Sequence, residues 1–88
     1  MTEPRQLREI GERAAQELAH LLHAPAERVT GLRRVEHGWS AVIEVLEMSR
    51  VPETADIMAD YEVDLTAKGT VVGFRRTRRY LRSDVEGS

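Results

Sequence analysis

The architecture follows from two neighbouring segments, residues 57–65 (IMADYEVDL) and residues 72–80 (VGFRRTRRY). In the first segment an apolar residue stands at every second position from Ile57 to Leu65, the period of a β-strand with one buried face. The residues between the two segments include Gly69, and glycine readily takes the left-handed conformation that closes a hairpin. We therefore expect the two segments to pair as antiparallel strands.

Parity restricts the register of this hairpin, because side chains directly opposite one another share a face of the sheet. A register that pairs Val63 with Val72 and Tyr61 with Phe74 keeps both apolar sets on one side. The same register gives cross-strand ion pairs of Asp60 with Arg75 and of Asp56 with Arg79. We expect these opposite charges to help fix the pairing.

The first quarter of the chain predicts an amphipathic helix over residues 3–23. Thr2 is a suitable N-cap, and Ala24-Pro25 stops the pattern because a residue before proline avoids helical geometry. Apolar residues recur at steps of three and four, as one stripe of a helix requires. These residues are Leu7, Ile10, Ala14, Leu18, Leu21 and Leu22.

After Pro25 the apolar period changes from that of a helix to that of strands. We expect strands over residues 28–36, 39–49, 55–66 and 70–82, with a turn at His37-Gly38 and a connection around Pro52. The segment 39–49 has apolar residues on both faces, which is typical of a central strand. The predicted fold is a single α+β domain over residues 1–88, with an N-terminal helix packed on a four-stranded antiparallel sheet.

Composition limits the function classes. The chain has 88 residues, 41% hydrophobic residues, no cysteine and a net charge of −2. Without cysteine neither a disulfide framework nor a thiolate metal site can form, and the N-terminal residues lack the apolar run of a signal peptide. We expect a cytoplasmic globular protein with no membrane contact.

The residues give little support for catalysis. His20 and His23 lie near the predicted helix end, where the helix dipole alone favours histidine, and no third metal ligand is clearly placed. We interpret His37 as a turn residue and the acids of residues 56–64 as solvated or paired with arginine. No nucleophile elbow or glycine-rich phosphate loop occurs. We therefore expect a protein that is not an enzyme and has no cofactor and no metal.

Charge is strongly segregated along the two paired segments. Residues 53–64 contain five acids and no base, whereas residues 68–82 contain six bases and no acid. An arginine stripe beside Tyr80 could contact nucleic acid, but the acidic neighbour favours structural pairing or protein contact. In the expected register Arg75 and Arg79 are partly neutralised on one face, while Arg76 and Arg78 emerge on the other.

The second face of the sheet is a candidate docking surface, because one helix covers only one face. Val42, Leu46, Met48 and Met58 are expected to point to this second face. There they could seat a partner protein or a second copy of the chain, as in a homodimer.

A combination of short motifs resembles the gas vesicle protein O family, GvpO. The similarity covers residues 29–82, and Phe74 stands where the family pattern often has tyrosine, which keeps the hydrophobic role. The matching residues are Gly38-Trp39, Val42-Ile43-Glu44-Val45-Leu46-Glu47, Arg50-Val51-Pro52, Asp56, Ala59, Tyr61-Glu62-Val63, Gly69, Phe74-Arg75-Arg76 and Arg78-Arg79-Tyr80.

The resemblance implies a cytoplasmic accessory protein of gas vesicle formation that contacts other gas vesicle proteins and could associate with the vesicles. A nucleic-acid-binding regulator that uses residues 75–82 is the alternative, and a metal-dependent enzyme is the least favoured reading. The candidate partner-binding residues are Arg75, Arg76, Arg78, Arg79, Tyr80, Arg82, Val42, Leu46, Met48 and Met58.

Overall fold

The computed structural model describes residues 4–86, with side chains over residues 5–84. The predicted cap Thr2 therefore lies outside the described residues. The elements are α1 (Pro4–Leu22), β1 (Ala26–Val35), β2 (Gly38–Met48), β3 (Ile57–Thr66), β4 (Val71–Leu81) and α2 (Arg82–Glu86), with a 3-10 turn at Glu53–Ala55 before β3. The strands form one antiparallel sheet in the order β1-β2-β3-β4. The α+β fold class is confirmed, and the short α2 and the 3-10 turn are additions to it.

Helix α1 ends in a pattern of two backbone hydrogen bonds. The Ala24 N–H donates to the Ala19 carbonyl at 3.1 Å and the His23 N–H to the His20 carbonyl at 3.4 Å. His23 has a φ of 54°, the left-handed conformation that such a helix end requires and that glycine usually supplies. This cap stops the helix one residue before Ala24-Pro25, and it gives His23 a structural role at the helix end.

The core lies between α1 and one face of the sheet. Ala14 and Leu18 of the helix are fully buried against the centre of β2 and β3, whereas Leu21, predicted in the same stripe, is exposed. The strand residues of this core cluster are Trp39, Ala41, Ile43, Val45, Val63 and Leu65. The Trp39 indole N–H donates a hydrogen bond to the Ala67 carbonyl at 3.2 Å. Trp39, near the start of β2, therefore also holds the β3–β4 turn in place.

The predicted β3–β4 register is wrong by two residues. Val63 lies opposite Phe74 instead of Val72, and Tyr61 lies opposite Arg76 instead of Phe74. The turn closes one residue later than expected, because the Thr66 N–H donates to the Thr70 carbonyl at 2.8 Å. The second added residue comes from a bulge in β4 opposite the step between Asp64 and Leu65, which leaves Val72 unmatched. Another bulge, opposite the step between Asp60 and Tyr61, leaves Thr77 unmatched.

Two sides of the sheet can be defined from the register. The helix side carries Ile43, Val63 and their directly opposite partners, and it faces α1. The open side carries Glu44, Asp60 and their opposite partners. A further bulge at Glu47 places Met48 opposite Ile57, on the helix side, so the prediction that Met48 lies on the second face is wrong.

Candidate functional site

A polar ladder crosses the open side through all four strands. Arg28 Nη2 lies 3.2 Å from Glu44 Oε2, and Arg78 Nε lies 3.2 Å from Asp60 Oδ2. Between the two carboxylates lies the Tyr80 hydroxyl, 3.1 Å from Glu44 Oε2 and 3.1 Å from Asp60 Oδ1. The hydroxyl has one proton, which it can donate to either carboxylate.

Tyr80 is engaged in this ladder by both its hydroxyl and its ring. Burial, together with the negative charges of Asp60 and Glu44, raises the pKa of Tyr80 to about 12. The Arg78 guanidinium carbon lies 4.2 Å from the ring centroid, so one ring face is covered by a cation–π contact. Tyr80 is therefore a neutral hydrogen-bond donor with one ring face already occupied.

The acidic and basic segments neutralise each other on the open side, although not with the predicted pairs. Arg75 bonds Glu62 instead of Asp60, and Arg78 takes the place beside Asp60. Three ion pairs form on this side, Arg28–Glu44, Arg75–Glu62 and Arg78–Asp60. Arg33 and Asp64 add one further charge of each sign to the same side. The open side is therefore a balanced network of charges.

The predicted apolar docking patch on the open side is small. Val42 and Leu46 are half-buried there, and Met58 is buried beneath its neighbours Leu46 and Tyr80. Met48 is on the helix side for the reason given above. The four apolar residues therefore do not form one exposed surface.

Arg82 is half-buried in an ion-pair network instead of standing free in the predicted arginine stripe. Its guanidinium bonds both Glu27 oxygens, at 3.0 and 2.9 Å, and its Nε lies 3.2 Å from Asp56 Oδ2. The exposed fraction is 20% for the Arg82 side chain and 5% for Asp56, which also accepts the Arg50 N–H at 2.7 Å. The hydrogen bond to Glu27 is the largest cause of the raised pKa of Arg82, which keeps it charged. This network joins the start of β1 and the residue before β3 to the first residue of α2, directly after β4.

The bulge at Thr77 redistributes the remaining arginines between the two sides. Arg75 and Arg78 lie on the open side, whereas Arg76 and Arg79 lie on the helix side, so the predicted grouping is wrong. Arg76 Nη1 lies 3.2 Å from both Glu47 oxygens, and Arg79 Nε lies 3.9 Å from Glu47 Oε1. Two exposed guanidinium groups thus share one carboxylate.

Beside these arginines lies an exposed apolar surface that sequence reasoning found only in part, since Met48 was a candidate residue but Phe74 and Leu81 were not. Phe74, Met48 and Leu81 are 41%, 45% and 39% exposed although they belong to the helix side. We call this surface the β4 strip and define it as Phe74, Arg76, Arg79 and Leu81 of β4 with Glu47 and Met48 of β2. The alternation of β4 placed Phe74 on the helix side, but it could not show that α1 leaves it uncovered.

The described residues offer few alternatives as a site. Over residues 5–84, no group of three or more histidine, aspartate or glutamate side chains is arranged to hold a metal ion. The His20 and His23 ring centroids are 6.4 Å apart. Within the described part of the chain, no helix has both the length and the apolar character needed to cross a bilayer.

Comparison with known proteins agrees with the motifs. A family model described as "Gas vesicle synthesis protein GvpO" matches residues 1–86. The chain is 48% identical over 69 residues to "Gas vesicle protein O" of a Streptomyces strain, covering 78% of this chain and 54% of that protein. It is 35% identical over 74 residues to "Gas vesicle protein O1" of Halobacterium salinarum, covering 84% of this chain and 62% of that protein.

A third relative is "Gas vesicle protein O" of Haloferax mediterranei, 43% identical over 49 residues, which cover 56% of this chain and 35% of that protein. The chain thus spans between half and two thirds of the length of the first two of these relatives. No solved structure is significantly similar to it. The match over residues 1–86 and these identities establish that the chain belongs to the gas vesicle synthesis protein GvpO family.

Proposed function

We propose that the chain is a non-enzymatic accessory protein of gas vesicle formation, acting in the cytoplasm as an assembly factor or minor component. It would act through contacts with other gas vesicle proteins. The names of its relatives support the link to gas vesicles. The observation that carries the contact role is the β4 strip, an exposed surface of mixed apolar and cationic character.

The composition of the β4 strip favours protein contact. Phe74, Met48 and Leu81 expose apolar area that water penalises by about 25 cal/mol per Å². Arginine and aromatic side chains, as at Arg76 and Phe74, are enriched in protein interfaces. A partner that covers the strip would remove this area from water and keep the arginines paired.

The test is removal of the gene from a vesicle-producing host, followed by complementation. We expect vesicle yield, measured as light scattering lost on pressure collapse, to fall without the gene and to return with the wild-type chain. A tagged wild-type chain should co-purify with at least one gas vesicle protein. Unchanged yield together with no vesicle protein in the purified fraction would contradict the proposal.

A nucleic-acid-binding regulator remains the second candidate, favoured by the four arginines of β4. Four phosphate contacts would give a log–log salt slope of about −3.6 on duplex DNA. Because each of these arginines already lies beside a carboxylate, we expect only weak binding that is lost near physiological salt. Fluorescence anisotropy with duplex and single-stranded oligonucleotides measures this, and tight binding at physiological salt would favour the regulator.

A further inference from the structure

Resting on the proposed function, we infer that the β4 strip seats an acidic amphipathic helix of a partner gas vesicle protein. The apolar face of that helix lies on Phe74, Met48 and Leu81. Its carboxylates pair with Arg76 and Arg79. The docked helix lies beside α1 and completes a second helix position on the helix side of the sheet.

The helix side has room for this second helix. Four strands span about 14 Å between the outer strand axes, whereas one helix is about 10 Å wide with its side chains. α1 lies against β1, where the Cβ of an alanine at Gly11 would be 3.6 Å from the Val29 side chain. α1 reaches β4 at Val71, whose N–H donates to Glu17 Oε1 at 3.2 Å. Beyond that point the helix-side residues of β4 are exposed, from Phe74 to Leu81.

The length of the strip sets the length of the occupant. Phe74 and Leu81 are seven positions apart, and one position is taken by the bulge at Thr77. Six extended residues span about 20 Å, and a helix of about 13 residues has the same length. An occupant of three to four turns would therefore contact both ends of the strip.

Charge selects an acidic occupant. Arg76 and Arg79 share the single carboxylate of Glu47, so these three side chains together carry one net positive charge. A guanidinium group can bind a further carboxylate through its planar donors. A second copy of this chain would instead bring two more arginines to the interface, and like charges disfavour such pairing.

The face of β4 is a better docking site than its edge. An added strand needs a regular row of backbone donors and acceptors, and bulges interrupt such rows. β4 carries unmatched residues at Val72 and Thr77, so its free edge lacks a long regular run. The β4 side chains of the strip, by contrast, all lie on the helix side of the sheet.

Site-specific photo-crosslinking in vesicle-producing cells tests the inference. Phe74→p-benzoylphenylalanine reports on the strip, and Asp64→p-benzoylphenylalanine is the matched control on the exposed open side. We expect position 74 to crosslink to a segment of a gas vesicle protein with helical apolar spacing and at least two acidic residues. Arg76→Glu combined with Arg79→Glu should reduce this crosslink about tenfold or more. The matched pair Arg75→Glu with Arg78→Glu should leave it within about twofold.

Each other outcome overturns the inference. A crosslink between two copies of the chain, or to a segment without acids, would refute the acidic helix. Crosslinking to a vesicle protein from position 64 alone would move the contact to the open side and leave the proposed function intact. No vesicle protein at either position would refute both. Circular dichroism and Trp39 fluorescence check folding, and Leu81→p-benzoylphenylalanine replaces the first variant if it misfolds.

Discussion

Removal of the Asp56 carboxylate should strongly destabilise the fold. Asp56 is buried, and its Oδ1 accepts a hydrogen bond from the Arg50 N–H at 2.7 Å. Its Oδ2 lies 3.2 Å from Arg82 Nε and 3.1 Å from Arg82 Nη2. In Asp56→Ala the Arg50 N–H loses its partner, and the Arg82 guanidinium keeps only Glu27. The connection before β3 and the end of β4 would then no longer be joined through side chains.

The expected cost of Asp56→Ala is about 3 kcal/mol in the free energy of unfolding, the lower end of the range for breaking a buried ion pair. The lower end applies because Arg82 retains its bidentate bond to Glu27. Glu27→Ala should cost only about 1 kcal/mol, since Glu27 is partly exposed and Arg82 then keeps Asp56. Because a domain of this size has only about 4–13 kcal/mol of stability, the Asp56 loss is a large fraction.

Urea unfolding followed by Trp39 fluorescence measures these costs, and Trp39 is suited to it as the single tryptophan of the chain, buried in the core. The slope of the unfolding free energy against urea should stay unchanged, and the melting temperature should fall by about 12–24 °C at about 4–8 °C per kcal/mol. Glu53→Ala, an exposed neighbour, is the control and should change stability by less than about 0.5 kcal/mol. A loss below about 1 kcal/mol for Asp56→Ala would refute the reasoning.

Three further predictions concern Gly38, Tyr80 and Phe74. Gly38→Ala should lower the free energy of unfolding by more than about 2 kcal/mol, because the new Cβ would lie 1.9 Å from the Leu65 carbonyl oxygen. Gly31→Ala is the control, since its Cβ would meet a side chain only at 3.8 Å. Equal urea midpoints for the two variants would contradict this prediction. The pKa of Tyr80 is raised to about 12 in the folded chain, above the value of about 10 for an unfolded tyrosine, so its stabilisation is complete below pH 10 and is lost as pH rises through 12. The melting temperature of the wild type should therefore fall more between pH 9 and a pH above 11 than that of Tyr80→Phe. The same fall in both proteins would count against this account. Phe74→Ser should cost less than about 1 kcal/mol in urea unfolding, because the ring is partly exposed; a loss as large as that of Asp56→Ala would make Phe74 a core residue.

The register of β4 shows where sequence reasoning reached its limit. The two-residue alternation of residues 57–65 identified β3 and its buried face, and Gly69 does take the left-handed conformation, with a φ of 91°. The alternation of β4 is broken by the unmatched residues Val72 and Thr77. A bulge leaves no composition signal here, because either residue would also fit a regular strand.

The same limit applies to the candidate partner-binding residues. The arginine run of β4 was visible in the sequence, but the side of the sheet that each arginine takes depends on the bulge at Thr77. Arg82 looked like the last member of that run, yet it lies in the network with Asp56 and Glu27, whose sequence separations of 26 and 55 residues give no local signal. Met58 was assigned to an exposed patch, and cross-strand neighbours bury it.

The sequence by itself determined the element order, the antiparallel pairing of neighbouring strands and the family of the chain. It could do so because periodicity, turn residues and short motifs are local properties of the chain. Only the tertiary structure decided which carboxylate each arginine pairs with and which face of β4 the helix leaves uncovered. Those outcomes depend on bulges and on how far one helix extends across a wider sheet, and both are set by contacts between residues distant in the sequence.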